Sequence, residues 1–184
     1  MSNPDELSDE PERLTVPGVG LPEASSEELE DAQVLALKDE RPQAPLVLDA
    51  SFVLAVLDGD PAAMRLVDLL RGSVLPSPTA GEVYLKVAER SGLPPVQVES
   101  VLLAYGVRLV DLPLAATHYF PSLRNTGAAY RAALSAAGYK GGEMSMGDLC
   151  VLGYAQHTGL PVLTSQRDWT HLHEVGLTVP VHIF

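Results

Sequence analysis

Three acids stand where a carboxylate could do chemistry. Asp49 directly follows the apolar run Leu46-Val47-Leu48, and Ser51 sits two positions on, close enough for its hydroxyl to orient a carboxylate or a bound water. Glu82 closes the pattern Thr79-x-x-Glu82, and Asp148 closes Ser145-x-x-Asp148. Each acid also has a purely architectural explanation. Asp49 is a good N-cap for a following helix, and both four-residue patterns match a helix-opening capping box. The chemical explanation requires the three to meet. Clustered carboxylates repel one another, so their meeting makes sense mainly around a hard cation. Oxygen donors favour Mg²⁺ or Mn²⁺. Such an ion lowers the pKa of a bound water, polarises a phosphoryl oxygen and stabilises the leaving oxygen of an in-line displacement, which amounts to phosphodiester hydrolysis.

Other chemistries find less support. His171 and His173 are two apart, while His118, His157 and His182 are scattered, so neither a Cys pair nor a histidine motif supports zinc. Gly138, Gly141 and Gly142 are followed by Glu143 rather than by the Lys and Ser/Thr of a phosphate-binding loop. That argues against an NTPase.

The acids must be positioned by the elements around them. LVLDASFVLAVL predicts a strand, a turn at Asp49 and a helix. PAAMRLVDLLR, residues 61 to 71, repeats apolar side chains every three or four positions behind a Pro and predicts a second helix. SVLPSP is a short strand broken by Pro76 and Pro78, and Thr79 is expected to open the helix TAGEVYLKVAERSG. On that helix Ala80, Val83, Val87 and Ser91 share a face and Glu82 points almost opposite, toward solvent or a cleft. A helix near 94 to 105, the strand VRLVDL and an Ala-rich helix near 126 to 137 follow. The last third predicts the helix GDLCVLGYAQHTG, the buried strand LPVLT and a final strand near VPVHIF. Strands alternating with helices imply an α/β fold with a parallel sheet covered on both faces. In such a sheet, ligands collect beyond the carboxyl ends of the strands, where Asp49 stands.

The chain has 184 residues and a net charge of -12, which by itself argues against a nucleic-acid partner. The average misleads. Residues 1 to 44 hold 12 acids against Arg13, Lys38 and Arg41, a charge of -9, and the remaining body carries only -3. Residues 1 to 26 have the composition of a disordered segment. SEELEDAQVLALKDE, from Ser26 to Glu40, fits a short amphipathic helix. We therefore divide the chain into an acidic tail, 1–44, and one domain, 45–184. Cys150 is the only cysteine, so no intramolecular disulfide can form, and neither a signal peptide nor a membrane span is recognisable. A cytoplasmic protein is the expectation.

Taken together and in this order, the motifs resemble the PIN-domain family, in particular its VapC-type toxins. LVLDASFVLAVL looks like the family's opening strand, with the first acid at Asp49 and the small hydroxyl residue at Ser51. SPTAGEVYLKVAERSG resembles the helix with the second acid, Glu82, and MSMGDLCVLGYAQHTGLPVLTSQRDW the segment with the third acid, Asp148, and the strand ending at Thr164. The likeness covers about residues 45 to 184. It implies an α/β/α sandwich around a central parallel sheet, a Mg²⁺ or Mn²⁺ site that cleaves RNA, frequent homodimers and pairing with a small antitoxin. One position departs from the pattern. The family usually has an acid two residues after the threonine, where this chain has Gln166, which is neutral, and Asp168 lies two residues further on.

These readings predict a metal-dependent endoribonuclease with Asp49, Glu82 and Asp148 as metal ligands and Ser51 and Thr164 supporting them. Gln166 and Asp168 are the candidates for a fourth position. Arg124, Arg131, Lys140 and Arg167 are candidate phosphate contacts, each equally readable as a solvated surface charge. Two other readings remain: a PIN-like binding or regulatory module that has lost full metal-binding capacity, and a flap-type DNA nuclease.

Overall fold

The computed structural model describes residues 42–136, 144–169, 172 and 177–184. The expected disorder and helix of the tail lie outside the described residues, as do Lys140, His171 and His173. Five short strands form one sheet: β1 (Val47–Leu48), β2 (Val74–Pro76), β3 (Arg108–Val110), β4 (Val162–Thr164) and β5 (Val181–Ile183). They lie in the order β3-β2-β1-β4-β5, and every neighbouring pair is parallel. The helices are α1 (Ala50–Leu57), α2 (Pro61–Met64), α3 (Ser77–Ser91), α4 (Pro95–Ala104), α5 (Leu114–Thr117), α6 (Phe120–Ala136) and α7 (Met146–Thr158). The expected α/β/α sandwich around a parallel sheet is therefore the observed one.

The period of two along the strands sorts the core into two layers. Leu46, Leu48, Leu75 and Leu163 face one side, where they pack with Phe52, Val53 and Val56 of α1, Val83 of α3 and Val98 and Leu102 of α4. Val47, Val74 and Val162 face the other, against Leu123 of α6 and Leu149, Val151, Leu152 and Ala155 of α7. A sheet buried on both faces needs apolar side chains at successive positions, which is why LVL and PVLT are continuous runs. Helix α7 approaches its neighbours closely at Gly153, where a Cβ would come within 2.7 Å of the Phe120 ring and 2.8 Å of the Ala116 carbonyl oxygen.

The structure corrects three expected elements and adds one. Residues 61 to 71 are not one helix: α2 ends at Met64 and a 3₁₀ turn covers Val67–Leu70. The backbone bonds Leu66 N–H to Ala63 O and Leu69 N–H to Leu66 O tighten the chain there and bring Leu69 and Leu70 into the core. Helix α3 starts at Ser77, two residues earlier than Thr79, with Pro78 in its first turn. Proline preorganises a helix start and needs no N–H there, so Pro78 and not Thr79 sets the boundary. Helix α5 was not anticipated, and α6 begins at Phe120 rather than near 126.

Candidate active site

The chain winds outward from β1 through β2 to β3, then returns to the other side of β1 with β4. The strand order thus reverses between β1 and β4, the place where open parallel sheets form a crevice at the carboxyl ends of their strands. Asp49 stands at the end of β1 and Thr164 at the end of β4. The Asp49 backbone N–H donates to the Leu163 carbonyl oxygen at 3.0 Å, which locks the two strand ends together.

Asp49 is only 5% exposed. Its Oδ2 accepts from the Ser51 hydroxyl at 2.5 Å and from the Thr164 hydroxyl at 2.8 Å. The capping bond from the Ser51 backbone N–H is long, 3.4 Å. Asp49 is thus an N-cap by position, but hydroxyls hold it more firmly than its helix does. Ser51 and Thr164 are steadied in turn. The Ser165 N–H donates to Ser51 Oγ and the Gln166 N–H to Thr164 Oγ1, both at 3.0 Å. Burial pushes the Asp49 carboxyl above its ordinary value and the charge of Asp148 adds to the rise, against the lowering pull of the Ser51 and Thr164 hydroxyls.

Asp148 enters from α7. The capping box is complete: the Asp148 N–H donates to Ser145 Oγ at 3.1 Å, and the Ser145 N–H donates to Asp148 Oδ2 at 2.7 Å. The second carboxylate oxygen, Oδ1, accepts from the Gln166 side-chain amide at 3.0 Å.

Glu82 arrives from α3, and its expected capping box does not exist. Thr79 lies inside the helix, fully buried, and its hydroxyl is the buried side-chain polar atom without a partner among the described residues. Freed of that role, Glu82 turns to the cleft: its Oε2 lies so close to Gly147 that a Cβ there would be only 2.7 Å from it. Glycine at 147 is therefore what lets the carboxylate of α3 reach the first turn of α7. Although Glu82 is exposed as a residue, partial desolvation of its carboxylate raises its pKa, the charges of Asp49 and Asp148 raise it further, and Lys86 opposes them. The charge of Asp148 thus reaches Asp49, and both reach Glu82, from three separate elements around the crevice.

Their donor chemistry suits a hard cation. One oxygen of Asp49 is anchored by hydroxyls and both oxygens of Asp148 are oriented by N–H donors, while Glu82 has room against Gly147. Among the described residues, no three of His, Cys, Asp and Glu close into a ready-made cage.

The remaining candidates divide. Gln166 joins the site through Asp148, as described. Asp168 lies half-buried in the turn after it, and the charges that raise Asp49 and Glu82 come from Asp49 and Asp148, not from Asp168. Arg167 is exposed beside Gln166. Arg124 and Arg131 lie two turns apart on α6, exposed and half-buried respectively. Two features escaped sequence reasoning. Gly147 was visible as part of Ser-x-Gly-Asp, but its service to Glu82 depends on packing between helices; the Ser165 N–H, being backbone, leaves no mark in the sequence at all.

A family model described as PIN domain matches residues 46–175, which include every residue of this constellation. The chain belongs to the PIN-domain family. Solved structures share the fold of this PIN domain. FitAB bound to a DNA fragment, IR36, is similar with a TM-score of 0.55 and 17% identity over 75% of this chain and 94% of that one. VapBC2 from Rickettsia felis, bound to a DNA fragment from its promoter, gives 0.50 and 14% over 75% and 97%. VapC20 from Mycobacterium tuberculosis, a sarcin-ricin loop cleaving toxin, gives 0.47 and 16% over 72% and 96%. No curated protein sequence matches the chain significantly. Among the described residues no helix is long and apolar enough to cross a membrane.

Proposed function

We propose that this PIN domain is a Mg²⁺- or Mn²⁺-dependent endoribonuclease, working in the cytoplasm as the toxin of a toxin–antitoxin pair. The observation that carries the reading is that Asp49, Glu82 and Asp148 border the crevice at the strand-order reversal, where desolvation first and then neighbouring charge, that of Asp148 on Asp49 and those of Asp49 and Asp148 on Glu82, raise two of the three carboxyls. A protein that gathers like charges in a crevice bears an electrostatic cost that a bound cation relieves. Asp49, Glu82 and Asp148 would hold the ion. When bound, a divalent cation supplies water activation and charge stabilisation on phosphate oxygens.

The chain's own residues do the rest. Ser51 and Thr164 fix Asp49 through their hydroxyls, and the 164–166 turn holds those hydroxyls through backbone N–H groups. Ser145 fixes one oxygen of Asp148. Arg167, with Arg124, Arg131 and Lys140, is proposed to contact RNA phosphates. RNA as substrate, a small antitoxin as partner and a homodimer as working form rest on the family and on its VapC-type members. The FitAB and VapBC2 structures support the partner proposal.

One observation favours a second reading, a PIN-like binding module without catalysis. Gln166 brings an uncharged amide to the place where a fourth acid is expected, so the site has three carboxylates. Incubating the purified chain with structured RNA and with single-stranded DNA, each with Mn²⁺ and with chelator, decides between them. Cleavage of RNA that needs Mn²⁺ is expected. RNA binding without cleavage in Mn²⁺ selects the module, and cleavage of DNA alone selects a flap-type nuclease.

A further inference from the structure

The end of β4 with the turn that follows it touches two of the three carboxylates. Its Thr164 hydroxyl donates to Asp49 at 2.8 Å, its Gln166 backbone N–H steadies that hydroxyl at 3.0 Å, and its Gln166 side-chain amide donates to Asp148 Oδ1 at 3.0 Å. With Oδ2 of Asp148 taken by the Ser145 N–H, both oxygens of that carboxylate are held, one from its own helix and one from across the crevice. The cross-crevice bond needs a donor. An ionised acid at 166 has none to give, and would set a second charge against Asp148. The side chain is half-buried and adds no charge.

We propose that Gln166 is a positioning residue, whose amide orients Asp148 for a single divalent cation and, by supplying a donor in place of a fourth charge, limits the site to that one ion. The inference rests on the metal reading above. Its charge logic is simple: three carboxylates carry one charge more than one divalent ion neutralises and one less than two ions require, so a second ion calls for the fourth acid that Gln166 replaces. Glutamine also explains why the crevice tolerates its acids, since a fourth carboxylate would add to the repulsion already felt by Asp49 and Glu82.

Calorimetric titration of Mn²⁺ into the full chain and into Gln166→Leu and Gln166→Glu, with melting temperatures of the metal-free proteins measured alongside, tests this. The wild type should bind one Mn²⁺ per chain. Gln166→Leu should still bind one, roughly 10- to 100-fold more weakly, the range typical of losing a group that orients a metal ligand. Its metal-free melting temperature should stay near that of the wild type, which separates lost positioning from lost folding. The isosteric Gln166→Glu should take up a second Mn²⁺. Two ions in the wild type, a single ion in Gln166→Glu, or unchanged affinity in Gln166→Leu would each overturn the inference while leaving the metal site standing. A wild type that binds no Mn²⁺ would overturn the metal reading, and this inference with it.

Discussion

Thr79-x-x-Glu82 and Ser145-x-x-Asp148 are the same motif in sequence and different structures in space. Around Ser145 the capping box closes with bonds of 2.7 and 3.1 Å, and α7 begins where the motif says it should. Around Thr79 no box forms, because α3 has already begun at Ser77 with Pro78 in its first turn. The proline decides the outcome, and the consequence is felt at the crevice. Asp148 reaches the crevice while capping its helix, whereas Glu82 reaches it with no capping duty, lodged against Gly147. A capping motif and a place at the crevice are therefore not rival explanations of a carboxylate: Asp148 has both, and Glu82 has only the second.

The largest expected effect treats the two acids alike. Glu82→Gln and Asp148→Asn should each cut metal-dependent RNA cleavage by more than roughly 100-fold, beyond the loss usual for groups that merely orient a ligand. Their stabilities should part. Asp148→Asn weakens a real box and should cost about 1 kcal/mol in chemical denaturation, whereas Glu82→Gln, with no cap to lose, should cost little. Equal stability losses would erase the distinction drawn between the motifs.

Gly147→Ala comes next, since it strikes the contact that joins the two motifs. The new Cβ would meet Glu82 Oε2 at 2.7 Å, so the carboxylate must leave its place. Cleavage should fall while stability changes by at most about 1–3 kcal/mol, the range for a crowded site. Wild-type activity in this variant would show that Glu82 need not occupy the position described.

Smaller effects are expected from the capping partners themselves. Ser145→Ala should lower stability by about 1 kcal/mol. Thr79→Val, which removes a buried hydroxyl that has no partner among the described residues, should be neutral or stabilising, because an unsatisfied buried polar group is itself unfavourable. Thermal melts of the two variants side by side check the contrast.

The smallest effect is in pH. The Glu82 carboxyl is raised above its ordinary 4.5, first by withdrawal from solvent and then by Asp49 and Asp148. A raised acid keeps its proton in the folded state when the unfolded chain has released it. Its contribution to folding therefore becomes less favourable as pH climbs through 4.5 to the raised value, and stays so above it. In chelator, the melting temperature of Glu82→Gln should thus rise relative to wild type between pH 4 and pH 7. A difference that is flat with pH would mean that Glu82 does not sense its neighbours.

Much of this was legible in the residues because continuous apolar runs admit few placements. LVL ahead of Asp49 and LPVLT ahead of Ser165 are strands buried on both faces, and Asp49, Ser51 and Thr164 fall at their ends by simple adjacency. Gly159, at φ 71°, ends α7 as a C-terminal glycine should. What stayed hidden depends on parts of the chain far apart. The hydroxyl bond from Thr164 to Asp49 spans 115 positions, and the amide of Gln166 finds Asp148 only once α7 is packed on the sheet. The start of α3 was misplaced because two start signals, Thr79 and Pro78, sit side by side and periodicity does not rank them.

The central claim is that Asp49, Glu82 and Asp148 converge to hold a catalytic divalent ion. Anomalous diffraction from crystals grown with Mn²⁺ tests it most directly. The account predicts an anomalous peak in the crevice between the ends of β1 and β4, held by Asp49, Glu82 and Asp148, and lost in Asp49→Asn crystals. A peak elsewhere on the molecule, or one that survives that substitution undiminished, would contradict it.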